Sequence, residues 1–352
     1  MSARALFATL APALFLAAGC SISRVVSVPE ATSAYDRLDG PARARFLDAR
    51  EQFLAGDVAQ ARANFERLLD EAPDIVPFGI WWQECEAALG GVDALKFRSE
   101  ERAVLRPGVG AELLAARAQD DEMSAQVWLA RAEVRDPDCA WIHQARAFLA
   151  MREGHMDEAR LALERALASD PGHLAARRLE VRLLVRDGAT EAARMRLAGW
   201  IARAKNDPRV LPRDLADAQL DFALLSLGTL EVDDAELALG ALDPQFVEPW
   251  RLAAAEACVA HERGDFVRAR RRVEDARASA PREILPAVQE ALLFDDAEPD
   301  PFRARAAWVA VRELAATSDD LLGAFETLRA RVRIERIDRD AAAAARVPDE
   351  PR

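Results

Sequence analysis

Residues 140–173 read AWIHQARAFLAMREGHMDEARLALERALASDPGH, and the meaning of this stretch decides the fold. Gly154 stands in its middle and Pro171 near its end. On both sides of the glycine, apolar residues fall three and four apart, the interval at which a helix returns to one face. The stretch therefore predicts two helices. Glycine takes the left-handed conformation that ends the first, and proline cannot continue the second. Ala147 lies seven residues before Gly154 and Ala159 five after it. Where two helices cross closely, only a small side chain lets the backbones approach, so a leucine at either position would overpack the crossing.

The same intervals recur along the chain. Around Gly56 they select Ala49, Ala61, Phe65, Leu68 and Pro73, and around Gly264 they select Ala257, Ala269, Val273, Ala276 and Pro281. Gly188 follows Gly154 by 34 residues and brings Ala193, Leu197 and Trp200, and Pro171 follows Pro137 by the same 34. This spacing resembles the tetratricopeptide repeat (TPR) family, a 34-residue helix-turn-helix unit. The resemblance is clearest over 42–75, 140–173, 174–207 and 250–283. Weaker units span 76–107, with Gly90 and Gly91 at the turn, and 108–139, with Ala125, Leu129 and Ala132 ahead of Pro137. Asp57 followed by Gln60 reads as a capping box opening a second helix. Residues 205–213 read as a longer loop, and the register slips around Gly228 and Ala235. A last pair over 283–317 precedes an apolar-periodic segment, Leu321 to Ile337. The span 41–318 holds about eight helix pairs at the family's period, leaving 319–346 as a capping helix and 347–352 as a loose tail. The implied fold class is all-α, an α-solenoid of TPR-like repeats. No alternating β-branched runs between hairpin turns compete.

Ahead of the repeats, Arg4 leads into the mostly apolar run Ala5–Ala18, interrupted by Thr9 and Pro12. A charged start and a short apolar centre are the marks of a secretory signal, and the run falls short of the roughly 20 residues a membrane-spanning helix needs. It ends Leu16-Ala17-Ala18-Gly19-Cys20-Ser21. That ending resembles a bacterial lipobox, although Ala17 stands where the family more often carries a larger aliphatic residue. The resemblance implies a signal peptide over 1–19, cleavage before Cys20, and lipid of the diacylglyceryl and palmitate kind on that cysteine. The alternative is an ordinary cleaved signal with an incidental cysteine. Serine after Cys20, in place of aspartate, implies by resemblance to enterobacterial lipoproteins an outer-membrane, periplasm-facing anchor. Residues 20–40 would then be a flexible tether, and the lipid the only membrane contact.

The composition narrows the chemistry. At 51% hydrophobic and 30% charged residues, the 352-residue chain is too apolar for a disordered protein. Its net charge of −13 repels phosphate and argues against nucleic acid as a partner. His143, His155, His173 and His261 build neither a zinc-protease helix nor a spaced Cys/His cluster. His155 and His173 fall in predicted turns and read as solvated turn residues. Cys85, Cys139 and Cys258 sit in separate repeats and read as buried, unbridged thiols. Phosphate loops, serine elbows and kinase signatures are missing from the sequence. The chain thus reads as a non-enzyme with no metal and no cofactor; an active site in the irregular region 208–248 is the alternative of that class.

A solenoid of such hairpins offers a concave wall built from the first helix of each unit. By the TPR resemblance, the groove positions are Phe46, Arg50 and Phe53; Trp141, Gln144, Phe148 and Met151; Arg178, Arg182 and Val185; and Cys258 with His261. The aromatic members at this spacing equally suit a core. Arg178 and Arg182, one turn apart, form either a fork for carboxylates or a solvated face paired with acids such as Glu180. Trp81 and Trp82 read by default as inter-repeat core, and alternatively as an exposed aromatic patch for a partner or a sugar ring. The expectation is a membrane-anchored scaffold or adaptor lipoprotein of the bacterial cell envelope, holding peptide segments of other envelope proteins. The alternative is a surface glycan- or nutrient-binding lipoprotein on TPR helices. Oligomeric state is not legible.

Overall fold

The computed structural model describes residues 39–296, 300–316 and 321–344. Cys20, the expected signal peptide, the tether as far as residue 38 and the tail 347–352 lie outside the described residues. Among the described residues every regular element is helical, and none of these helices is long and apolar enough to cross a membrane. The described residues fall into two compact units, divided between Leu215 and Ala216.

The first unit contains α1 (Gly40–Leu54), α2 (Val58–Glu71), α3 (Val76–Leu105), α4 (Val109–Arg117), α5 (Glu122–Arg135), α6 (Ala140–Glu153), α7 (Met156–Ser169), α8 (Leu174–Arg186) and α9 (Thr190–Ala204). Asp39 caps α1 by accepting from the Ala42 N–H at 2.7 Å, and Pro41 fills the first turn. Gly56, Gly154 and Gly188 end their helices at φ of +90°, +84° and +75°, the left-handed region that glycine enters without a Cβ penalty. α3 is two arms, because Gly91 at φ 77° and ψ −178° leaves the helix, as the Gly90–Gly91 pair predicts. The expected capping box at Asp57 does not form: at φ −79° and ψ 52° the residue is not extended, and its side chain makes no cap bond.

At the helix crossings Ala49, Ala61, Ala147, Ala159 and Ala193 are wholly buried. An aromatic core fills the space between α1, α2 and the first arm of α3. Phe65 and Trp81 stack at 5.7 Å, Phe46 lies 5.2 Å from Phe78, and Phe53 meets Trp81 edge-on at 5.5 Å. Gln83, fully buried, ties neighbouring arms together by donating to Ser99 Oγ and the Leu114 carbonyl while accepting from Arg117. α4 comes so near the turn between α2 and α3 that a Cβ on Gly110 would lie 2.1 Å from the Pro73 carbonyl oxygen.

The second unit contains most of α10 (Pro212–Gly228), then α11 (Val232–Gly240), a 3₁₀ turn at Pro244–Phe246, α12 (Pro249–Glu262), α13 (Phe266–Ser279), α14 (Ile284–Asp296), α15 (Pro301–Ala316) and α16 (Leu321–Ala344). Register slips where the sequence implies it. After α10 the left-handed residue is Leu230 at φ 66°, not Gly228. Among the described residues, with the arms of α3 counted separately, α1 to α9 make five helical hairpins in the first unit, and α10 to α15 make three in the second, followed by α16; this is the helix-pair pattern of the α-solenoid class. Asp295 secures that last helix. Its side chain, 4% exposed, accepts from Trp308 Nε1 at 3.1 Å and from Arg333 and Arg336 at 3.3 Å each.

Candidate functional site

The 34-residue period aligns α6 with α8. Gln144 corresponds to Arg178 and Phe148 to Arg182, and all four side chains line one groove of about 820 Å³ within the first unit. Trp141 lines it from the start of α6, and Ile75, Val76, Ile80 and Leu113 supply apolar wall from α3, its approach and α4. The loop after α9 closes one side with Arg209, Val210 and Leu211. Phe148 is 37% exposed here, a large apolar side chain presented to the groove.

Most of the groove's arginine charge is matched. Arg178 donates to Asp214 at 3.4 Å and lies 5.8 Å from the centre of the Trp200 ring. Arg209 pairs with Asp207 at 2.5 Å, and Arg117 with Glu84 at 3.1 Å. At the other end Asp121 accepts from the Ser124 N–H, which holds its carboxyl below the usual carboxylate range. Glu122 is pushed up, chiefly because its carboxyl shares a hydrogen bond with Glu153.

His173 is buried in the same groove, 4% exposed. It is the N-cap of α8, with Nδ1 accepting from the Ala176 N–H at 3.2 Å. Its ring stands edge-on to Trp141 at 4.3 Å. Burial, helped by the nearby Arg209 charge, lowers its pKa to about 4, so the imidazole is neutral at physiological pH. Reading this turn residue as solvated is wrong: it is buried, with Trp141 packed on its ring and the Arg209 charge nearby. A signal was available in the sequence, since His173 repeats the turn position of Cys139, another groove residue, 34 residues later.

The expected groove residues divide. Trp141, Gln144, Phe148, Arg178 and Arg182 come together around this concavity. Met151 instead packs half-buried against the core of α6 to α8. Phe46 is 0% exposed inside the aromatic core, because the first arm of α3 lies over it, and it is not part of this groove's wall. Phe53 and Arg50 turn towards Trp81, with the Arg50 guanidinium 6.0 Å from the ring centre. His261 belongs to α12 in the other unit and meets Phe266 edge-on at 5.6 Å. Trp81 and Trp82 are 0% and 3% exposed, so they form core and not a surface patch. His155 is exposed beside Glu153 at 3.1 Å. Cys85, Cys139 and Cys258 make no disulfide among the described residues, and burial pushes the Cys85 thiol up to about 12. No group of metal-ligating side chains gathers among the described residues.

Residues 150–211 match the tetratricopeptide repeat family model. The matched segment runs from the end of α6 to the residue before α10, so it contains His173, Arg178 and Arg182. Among solved structures, the Rap protein complexed with Competence and Sporulation Factor is similar, with a TM-score of 0.51, 12% identity, and coverage of 86% of this chain and 99% of that one. A chain of the APC/C hetero-tetramer Cut9–Hcn1 gives 0.53 at 14% identity over 82% of this chain, which spans about half (54%) of that chain. A TPR protein from Parabacteroides merdae gives 0.44 at 13% identity, covering 83% of this chain and 100% of that one. No curated protein matches this chain in sequence.

Proposed function

We propose that the chain is a scaffold that holds a peptide segment of a partner protein in the groove of its first unit. The observation that carries this reading is the 820 Å³ concavity, where the first helices of two successive repeats present Trp141, Gln144, Phe148, Arg178 and Arg182 to one space. Concave faces of stacked helical repeats bind extended segments of other chains. The solved Rap structure, of similar fold, is a complex with Competence and Sporulation Factor. The glycan alternative has no exposed tryptophan pair to stand on, since Trp81 and Trp82 are core.

The test is selection of peptides from a random displayed library on the full chain. Binders should be lost on Gln144→Trp, which fills the groove from its α6 wall, while the melting curve holds. Anchoring to the outer membrane through lipid on Cys20 is part of the proposal and is tested separately. Cys20→Ser should accumulate an uncleaved, unlipidated precursor in cells; normal processing of that variant would remove the lipoprotein reading.

A further inference from the structure

We infer that the Nε2–H of His173 is the donor on the groove floor and takes a main-chain carbonyl of a bound, extended, largely uncharged peptide. The inference rests on the peptide-groove reading and adds to it the chemistry of the occupant.

The hydrogen-bond geometry comes first. His173 Nδ1 accepts from the Ala176 N–H at 3.2 Å, so a neutral ring carries its proton on Nε2. The residue is 4% exposed, yet Nε2 has no hydrogen-bond partner among the described residues. Buried donors are nearly always matched, and this one belongs to a residue that lines the groove of about 820 Å³. The fold has already fixed the ring: the cap bond holds one nitrogen, and the edge-on contact with Trp141 at 4.3 Å holds the plane.

The surroundings then choose among acceptors. A carboxylate lodged at this depth would have to give up its water against guanidiniums whose charge is already matched, Arg178 by Asp214 and Arg209 by Asp207. A peptide carbonyl brings one acceptor and no charge, and a neutral imidazole brings one donor. Exposed Phe148 and half-buried Trp141 along the same helix offer apolar contact to the side chains on either side of that carbonyl.

The experiment uses the full chain and one library-selected peptide that Gln144→Trp abolishes. His173→Asn keeps a good N-cap for α8 but is too short to reach the Nε2 position, and it should bind about tenfold more weakly with an unchanged melting curve. His173→Gln, whose amide N–H reaches about as far as Nε2, should recover most of the affinity. Replacing the peptide's amides by esters one at a time weakens each carbonyl as an acceptor. One replacement should cost affinity in the wild type and nothing in His173→Asn. Full affinity in His173→Asn, or a peptide whose binding depends on a carboxylate there and on no carbonyl, overturns this inference and leaves the groove reading standing. A library that yields no binder, or binders indifferent to Gln144→Trp, overturns the groove reading itself.

Discussion

Replacing Ala159 with leucine tests the packing rule on which the architecture depends. Ala159 on α7 and Ala147 on α6 stand on either side of the Gly154 turn, and both are 0% exposed. Leucine adds three carbons at a crossing with no accessible surface, and overpacking of this kind costs about 1–3 kcal/mol through off-rotamer side chains and shifted backbone. For a cooperative unit the size of Val28–Leu215, each kcal/mol lowers the midpoint by about 2–4 °C, so the expected fall is about 2–12 °C. Leu161, two residues along the same helix and 51% exposed, provides the control. Leu161→Ala should stay within about 0.5 kcal/mol of wild type. Thermal unfolding followed by circular dichroism reads both. An Ala159→Leu protein that melts with the wild type would mean the crossing has room, and the alanine cadence would then say nothing about how these helices meet.

Three further outcomes follow from particular contacts. His173 has a folded-state pKa of about 4 against an ordinary 6.5, so on acidification the unfolded chain takes up a proton that the folded chain refuses. This costs nothing above about pH 6.5, where both states are neutral, and grows to about 3 kcal/mol as pH falls towards 4; urea titrations should show His173→Asn free of that slope. Gly110→Ala sets a Cβ against the Pro73 carbonyl oxygen and should cost about 1–3 kcal/mol, whereas Gly108→Ala meets nothing within 4 Å; equal midpoints for the two variants would refute the close approach. Asp295→Ala removes the acceptor that Trp308, Arg333 and Arg336 share beside α16 and should destabilise that end by about 3 kcal/mol, seen as faster amide exchange in α15 and α16 with α6 and α7 unchanged.

What could be read from the sequence is what the chain imposes locally. Gly56, Gly154, Gly188 and Gly264 all adopt positive φ, and the alanines spaced about them are buried, because turn and crossing each tolerate few residue types. Leu230 shows where that logic stops: a leucine at φ 66° gives no signal, so the turn after α10 could be sensed only as lost register. The groove was half legible for a related reason. Position within a repeat tells which face of a helix a side chain takes, but not what lies over that face. Phe46 and Trp141 both belong to the first helix of a repeat, yet Phe78 and Trp81 pack on Phe46, while Trp141 borders open space.

His173 was missed because a turn is ordinarily exposed, and a histidine in one is ordinarily wet. Here the repeat overrides the turn. The period that carries Cys139 to the head of α6 carries His173 to the head of α8, and both heads open onto the same concavity. At such a place a serine's remaining O–H would sit on the capping oxygen itself, and an aspartate's second oxygen could only accept. Histidine caps with one nitrogen and still has the other to present, and the cap itself dictates that the second nitrogen carries the proton. The polarity of the groove floor is therefore set by how a helix was begun, which no site motif would record and which a survey of caps against concave faces can find in other helical arrays.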